Sequence, residues 1–173
     1  MCWTNSIFPF AKRAAALAAD FSVEVIKGYQ TQQVREEDMA RVRAVYDRLK
    51  INAELAPFFG DLPARLASHH LVVSRSGAGT VAELAAIGRP SILVPLPGSI
   101  DQDQFANAGV LAQAGGALRI AQAEFTPDRL AAEISALAAE PVRLAAMAAS
   151  ARSVGRLDAA ERLADLVVKV AII

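Results

Sequence analysis

From residue 70 onward, short apolar runs alternate with longer segments whose apolar positions recur every three or four residues. His70–Ser74, with adjacent Val72 and Val73, reads as a strand buried on both faces. Arg75-Ser76-Gly77-Ala78-Gly79 is a small-residue turn. Thr80-x-x-Glu83 has the capping-box pattern and opens a helix that Gly88 and Pro90 close. Ser91–Leu96 is a second buried strand, Pro97–Asp103 a polar loop, and 104–114 a helix stopped by Gly115-Gly116. Ala117–Ile120 can form a further strand. Thr126-Pro127 supplies an N-cap and a first-turn proline, and Pro141 divides the alanine-rich tail into helices over 127–139 and 141–153. Asp158 and Glu161 start a terminal helix with Leu163, Leu166, Val167 and Val170 on one face.

Upstream the pattern is weaker. Met1–Phe10 matches no clear element, Ala11–Ala19 reads as helix, and Val23–Gln33 contains β-prone residues interrupted by Gly28. Met39, Val42, Tyr46 and Leu49 fall at helical spacing and predict a helix from Glu36 to Leu49. Asn52–Phe59 follows as a strand, and Asp61 can cap a short helix through Ala67. Strands alternating with helices imply an α/β domain with a mostly parallel, doubly wound sheet. Ligands of such sheets sit beyond the carboxyl ends of the strands, where Arg75–Thr80 and Pro97–Gln104 would meet.

Composition narrows the function classes. The 173 residues fit one sizeable domain, and a hydrophobic fraction of 54% allows a real core. Zero net charge argues against a general nucleic-acid binder. A single cysteine, Cys2, excludes a disulfide framework and a cysteine metal cluster. No apolar run approaches the ~20 residues of a membrane span, and no secretory signal is evident, which points to the cytosol.

The strand, glycine turn and helix start around Ser76, Gly77, Ala78, Gly79 and Thr80 leave free backbone N–H groups pointing one way. With the helix dipole behind them they suit a phosphate. An ordinary βα turn has the same pattern, so this segment alone leaves both readings open.

SRSGAGTVAELAAIGRPSILVPLP, then DQDQFANA and AGGA, resembles the donor-binding half of the MurG family of peptidoglycan glycosyltransferases. The upstream QQVREEDMARV and AELAPFFGDLPARLA are similar to the same family. The resemblance implies the Rossmann-like C-terminal domain of a GT-B enzyme. It also implies transfer of N-acetylglucosamine from UDP-N-acetylglucosamine to the lipid-linked muramyl-pentapeptide, at the cytoplasmic face of the bacterial inner membrane. It implies no cofactor and no metal. Glu83 matches the carboxylate that holds the donor ribose hydroxyls, a suitable partner because its two oxygens can accept from a vicinal diol. Its alternative role is the third position of the capping box. Ser76–Thr80 matches the turn facing the diphosphate, through backbone donors.

Gln104 matches the second glutamine of a family pair that recognises sugar hydroxyls. The first of that pair corresponds to Asp103, which can accept from hydroxyls but lacks the amide donor. Asn107 continues the pattern or bonds within its helix. Phe58 and Phe59 occupy the loop that meets uracil largely through backbone groups, and core packing is the alternative for the side chains. Arg75 could neutralise phosphate or form a surface or interdomain salt bridge. His70 is expected to open its strand and His69 to lie on the surface, neither with an assigned role.

Other family features are not found. Residues 1–28 do not match, and no GGSxGA turn precedes Gln32, so residues 29–173 read as a donor-binding domain truncated at its start. The acceptor domain, to which the family's catalytic base is assigned, has no room in this chain, so no catalytic residue is named. The expectation is a fragment that is inactive alone and marginally stable. In the doubly wound order its missing first strand would lie at the sheet centre, a slot Ser6–Phe10 or Val23–Ile26 could fill.

Overall fold

The computed structural model describes residues 30–48, 50 and 53–171. The expectations for Met1–Phe10, Ala11–Ala19, Val23–Ile26 and Leu49 lie outside the described residues.

Two parallel sheets organise the chain. In the first, β1 (Gln30–Gln33) pairs with β2 (Ala53–Ala56), Gln30 opposite Ala53 and Gln33 opposite Ala56. Between them a 3-10 turn over Glu36–Asp38 leads into α1 (Met39–Arg48). The helical spacing turns Val42 and Tyr46 inward onto Val34 and Leu55, a small core that Met39 and Ala53 flank. Asp38 is buried at the start of this helix and pairs with Arg35 and Arg41.

After α2 (Leu62–Ser68), three strands form the second sheet in the order β3-β4-β5: β3 (Val72–Ser74), β4 (Ser91–Leu93) and β5 (Ala117–Arg119). The helices are α3 (Ala78–Ile87), α4 (Asp103–Gln113), α5 (Pro127–Ala139), α6 (Pro141–Ser153) and α7 (Ala159–Ala171). Alternation along the central strand feeds two cores. Leu93 packs with Leu66, Val81, Leu84 and Leu111, whereas Ile92 and Val94 pack with Ile120, Phe125, Leu130 and Leu137. Ile92, Leu93 and Val94 are each 0% exposed, because β4 has a strand on either side and helices over both faces.

Helices α5 and α6 have the bounds expected from Pro127 and Pro141. Thr126 Oγ1 accepts a hydrogen bond from the Arg129 N–H, the N-cap its sequence predicts. Gly88 ends α3 at φ +73°, a left-handed C-cap. Gly116 is needed for a different reason: a Cβ there would lie 2.7 Å from the Ala151 backbone, so only glycine lets α6 lie against the start of β5.

The α/β fold with parallel strands is as expected, and two local expectations are corrected. The parallel strands form two hydrogen-bonded sheets among the described residues, with no ladder joining β1 to β3. Among the described residues β3 is thus an edge strand, half-buried, with Val73 exposed. Its apolar sequence could not reveal that no strand among the described residues pairs along its outer side. Asp61 precedes α2 without capping it; its carboxylate accepts instead from Arg65 Nε at 2.6 Å.

Candidate functional site

The carboxyl ends of β3 and β4 bring together the two loops expected to meet there. Helix α3 begins at Ala78, with Gly77 as its N-cap residue. Thr80 therefore lies inside the first turn and Glu83 beyond it, so the capping box does not form. Val81, Leu84 and Ala85 form the buried face of this helix. Among the described residues no side chain caps this helix, and its first internal bond runs from the Val81 N–H to the Gly77 carbonyl. The N–H groups of Ala78, Gly79 and Thr80 are thus left for an outside acceptor.

Space accompanies those donors. A Cβ on Gly77 or Gly79 would meet nothing within 4 Å. Neither glycine has a positive φ, so close approach and not conformational freedom is what they offer. Glu83 is exposed, one helical turn beyond Gly79 and Thr80 on the same stripe, with no polar partner among the described residues. Its carboxylate is free to accept hydroxyl donors.

Helix α4 closes the other side. Ser76 is 0% exposed, and its hydroxyl donates to the Gln104 carbonyl at 2.7 Å. The Gln104 side chain accepts through Oε1 from the Leu96 N–H at 3.0 Å, leaving its Nε2 donors unpaired among the described residues. Asp103 is exposed, and its carboxylate accepts from the Gln104 N–H at 2.7 Å. Just before it, Asp101 and Gln102 both adopt left-handed backbone, φ 51° and 55°. Such conformations cost non-glycine residues about 1–2 kcal/mol each. Asn107 lies three residues beyond Gln104 on the same face, half-buried.

Arg75 is tied to the end of β4. Its guanidinium Nη1 donates to the carbonyls of Val94 at 3.1 Å and Pro95 at 3.0 Å, fastening the β3 loop to the end of β4. Burial pushes this guanidinium below its ordinary pKa. Phe59 is buried, with Arg65 stacked over its ring at 4.2 Å, whereas Phe58 is 74% exposed. The Phe59 side chain is therefore committed to packing, and the exposed ring in that loop belongs to its neighbour. His70 is exposed ahead of β3. His69 is half-buried and not at the surface as expected; its Nδ1 lies 2.6 Å from the Arg65 carbonyl and so carries the proton. Among the described residues no group of three or more His, Cys, Asp or Glu is arranged to hold a metal.

Comparison with known proteins identifies the family. The model for the glycosyltransferase family 28 C-terminal domain matches residues 10–163. The chain belongs to this family. The UDP-N-acetylglucosamine–N-acetylmuramyl-(pentapeptide) pyrophosphoryl-undecaprenol N-acetylglucosamine transferase of Nitrobacter hamburgensis is 84% identical over 82% of this chain. The chain spans 38% of the length of that relative. The crystal structure of Acinetobacter baumannii MurG superposes with a TM-score of 0.76 at 27% identity, over 92% of this chain and 49% of that one. The glycosyltransferase VinC, in complex with dTDP, gives 0.66 at 25% identity, over 94% and 37%. Membership of the family makes the α/β fold with parallel strands that of a glycosyltransferase domain.

Sequence reasoning had missed two features of the site. Ser76 turns its hydroxyl inward, and Gln104 uses half of its amide to hold a loop. A buried serine directly before a helix start was the available signal, but its partner lies 28 residues away.

Proposed function

We propose that residues 29–173 bind UDP-N-acetylglucosamine as the donor part of a hexosyltransferase. The enzyme would move N-acetylglucosamine to a lipid-linked muramyl-pentapeptide in bacterial peptidoglycan synthesis. The observation that carries this reading is the uncapped N-terminus of α3, open at Gly77 and Gly79 and fastened through Ser76 to the helix bearing Gln104. The diphosphate would accept from the N–H groups of Ala78, Gly79 and Thr80, with the positive end of the helix dipole behind them. Glu83 would accept from the ribose hydroxyls, and Asp103 and Gln104 would meet the sugar. The loop carrying Phe58 and Phe59 would present backbone groups to uracil.

The relative from Nitrobacter hamburgensis, named as an N-acetylglucosamine transferase acting on N-acetylmuramyl-(pentapeptide) pyrophosphoryl-undecaprenol, supports this donor and acceptor. Transfer itself is proposed only for an assembly that also supplies an acceptor-binding part, associated peripherally with the cytoplasmic face of the inner membrane. No helix among the described residues is long and apolar enough to cross a membrane.

Calorimetric titration of the full chain with UDP tests the site. Saturable binding is expected, and Glu83→Gln should weaken it by about one to two decades, the worth of a charge-assisted bond. Melting temperature should not change, since Glu83 neither caps its helix nor packs. A sample that melts cooperatively and gives no heat with UDP would sink the proposal. The dTDP complex of VinC favours a second reading, a nucleoside-diphosphate site indifferent to uracil. Equal affinity for UDP and dTDP would select it.

A further inference from the structure

Resting on the donor-site reading, we infer that Ser76 is a positioning residue that sets sugar specificity by holding Gln104 in place, not a ligand of the phosphate. The inference starts from where its hydroxyl goes. Ser76 immediately precedes the turn that would face the diphosphate, yet its side chain is fully buried and spent on the Gln104 carbonyl at 2.7 Å. That carbonyl belongs to the first turn of α4, where its second lone pair can take a bond from outside the helix.

Other bonds also meet this end of α4: the Asp103 carboxylate accepts from the Gln104 N–H at 2.7 Å, and Arg119 Nη1 donates to the Phe105 carbonyl at 3.2 Å. It is the Ser76 bond that ties the Gln104 carbonyl to the end of β3. The residue before the helix, Gln102, makes no side-chain cap, and both it and Asp101 hold left-handed backbone that non-glycine residues adopt at a cost. Such a start needs an outside restraint to keep one geometry. Ser76 supplies it from the end of β3. The restraint then passes through the glutamine itself. With its backbone fixed, Oε1 of Gln104 takes the Leu96 N–H at 3.0 Å, and that bond decides which way the amide points. The Nε2 donors are left facing away from Leu96, without a partner among the described residues. A sugar hydroxyl can take them only if both bonds hold.

One hydrogen bond thus couples the two helix N-termini. The consequence is selective: the N–H groups of α3 stay in place without the Ser76 hydroxyl, because they follow from the helix, whereas the Gln104 amide does not. A serine serving only stability would weaken every ligand alike.

The test compares UDP with UDP-N-acetylglucosamine on the full chain, by titration of wild type, Ser76→Ala, Gln104→Ala and the double variant. Ser76→Ala should weaken the sugar nucleotide by about three- to tenfold, the worth of one neutral hydrogen bond, and UDP by less than about twofold. In the Gln104→Ala background Ser76→Ala should add no further selectivity. Amide exchange at Leu96 should also quicken in Ser76→Ala, with or without ligand. If Ser76→Ala does not melt cooperatively, Ser76→Cys keeps the size and a weaker donor, and an intermediate loss of selectivity is expected. Parallel weakening of both ligands, or additive losses in the double variant, would overturn the coupling while leaving the donor site standing. A folded wild type that binds neither ligand would overturn the donor-site reading and this inference with it.

Discussion

The β1–α1–β2 unit and the β3–β4–β5 unit begin from the same local recipe, parallel strands joined through a helix, and reach different degrees of burial. Among the described residues the first gathers Val42 and Tyr46 of one helix against Val34 and Leu55 from the strands. The second buries Ile92, Leu93 and Val94 completely, with separate cores above and below. The difference lies in the neighbours. A strand flanked on both sides and covered on both faces loses all its solvent, whereas a two-stranded sheet under one helix buries one face. The site follows the larger unit, because narrow tolerances at Ser76, Gln104 and Arg75 need loops anchored to a rigid strand end.

Arg65 joins the two units. Its guanidinium bonds Glu54 on β2 at 2.5 and 3.0 Å and Asp61 at 2.6 Å, and it stacks on Phe59. The bond to Glu54, then that to Asp61, raises its pKa further above the ordinary guanidinium value. It therefore stays charged at every working pH.

Substitutions can break this comparison or sharpen it. The largest effect is expected from Ile92→Ala, which should cost about 2–5 kcal/mol in denaturant unfolding because the cavity opens in a layer with little room to collapse. Leu55→Ala removes comparable volume from the smaller unit. Its cost should fall near the low end, about 2 kcal/mol, and faster amide exchange should be confined to residues 30–56. If Leu55→Ala lowers protection across β4 as much as Ile92→Ala does, the two units are one cooperative body.

Arg65→Gln should act more narrowly still, quickening exchange in β1 and β2 while β4 and β5 keep their protection. Equal change in both sheets would remove Arg65 from its linking role.

The smallest effect concerns pH. The hydrogen bond from Arg65 holds the exposed Asp61 carboxyl below its usual pKa. A carboxyl depressed in the folded state stabilises above its unfolded pKa, and that contribution is lost as pH falls through the folded value. Asp61→Asn should flatten this part of the acid-side stability profile slightly, and an unchanged profile would show that solvent screens the pair entirely.

Much of the architecture was legible because its signals are local. Pro127 and Pro141 set helix starts through a fixed φ and a missing donor, and Gly88 set an end through its left-handed conformation. Glu83, Gln104 and the Ser76–Thr80 turn stood out as candidates because their spacing matched a known pattern. What could not be read was each group's competition with distant partners. Thr80 has a good cap sequence, yet the helix starts two residues before it. Val72-Val73 has the composition of a central strand and lies at an edge among the described residues.

By itself, then, the chain determined which segments become strands and helices, since backbone preference and apolar period act over a few residues. Tertiary structure alone decided that the strands divide into two sheets and that Arg75 fastens the carbonyls of Val94 and Pro95. It alone turned the Ser76 hydroxyl toward Gln104. Those outcomes depend on groups 19 to 28 residues apart meeting at one strand end. A buried donor bonds to whichever acceptor packing delivers, and no local pattern encodes which one arrives.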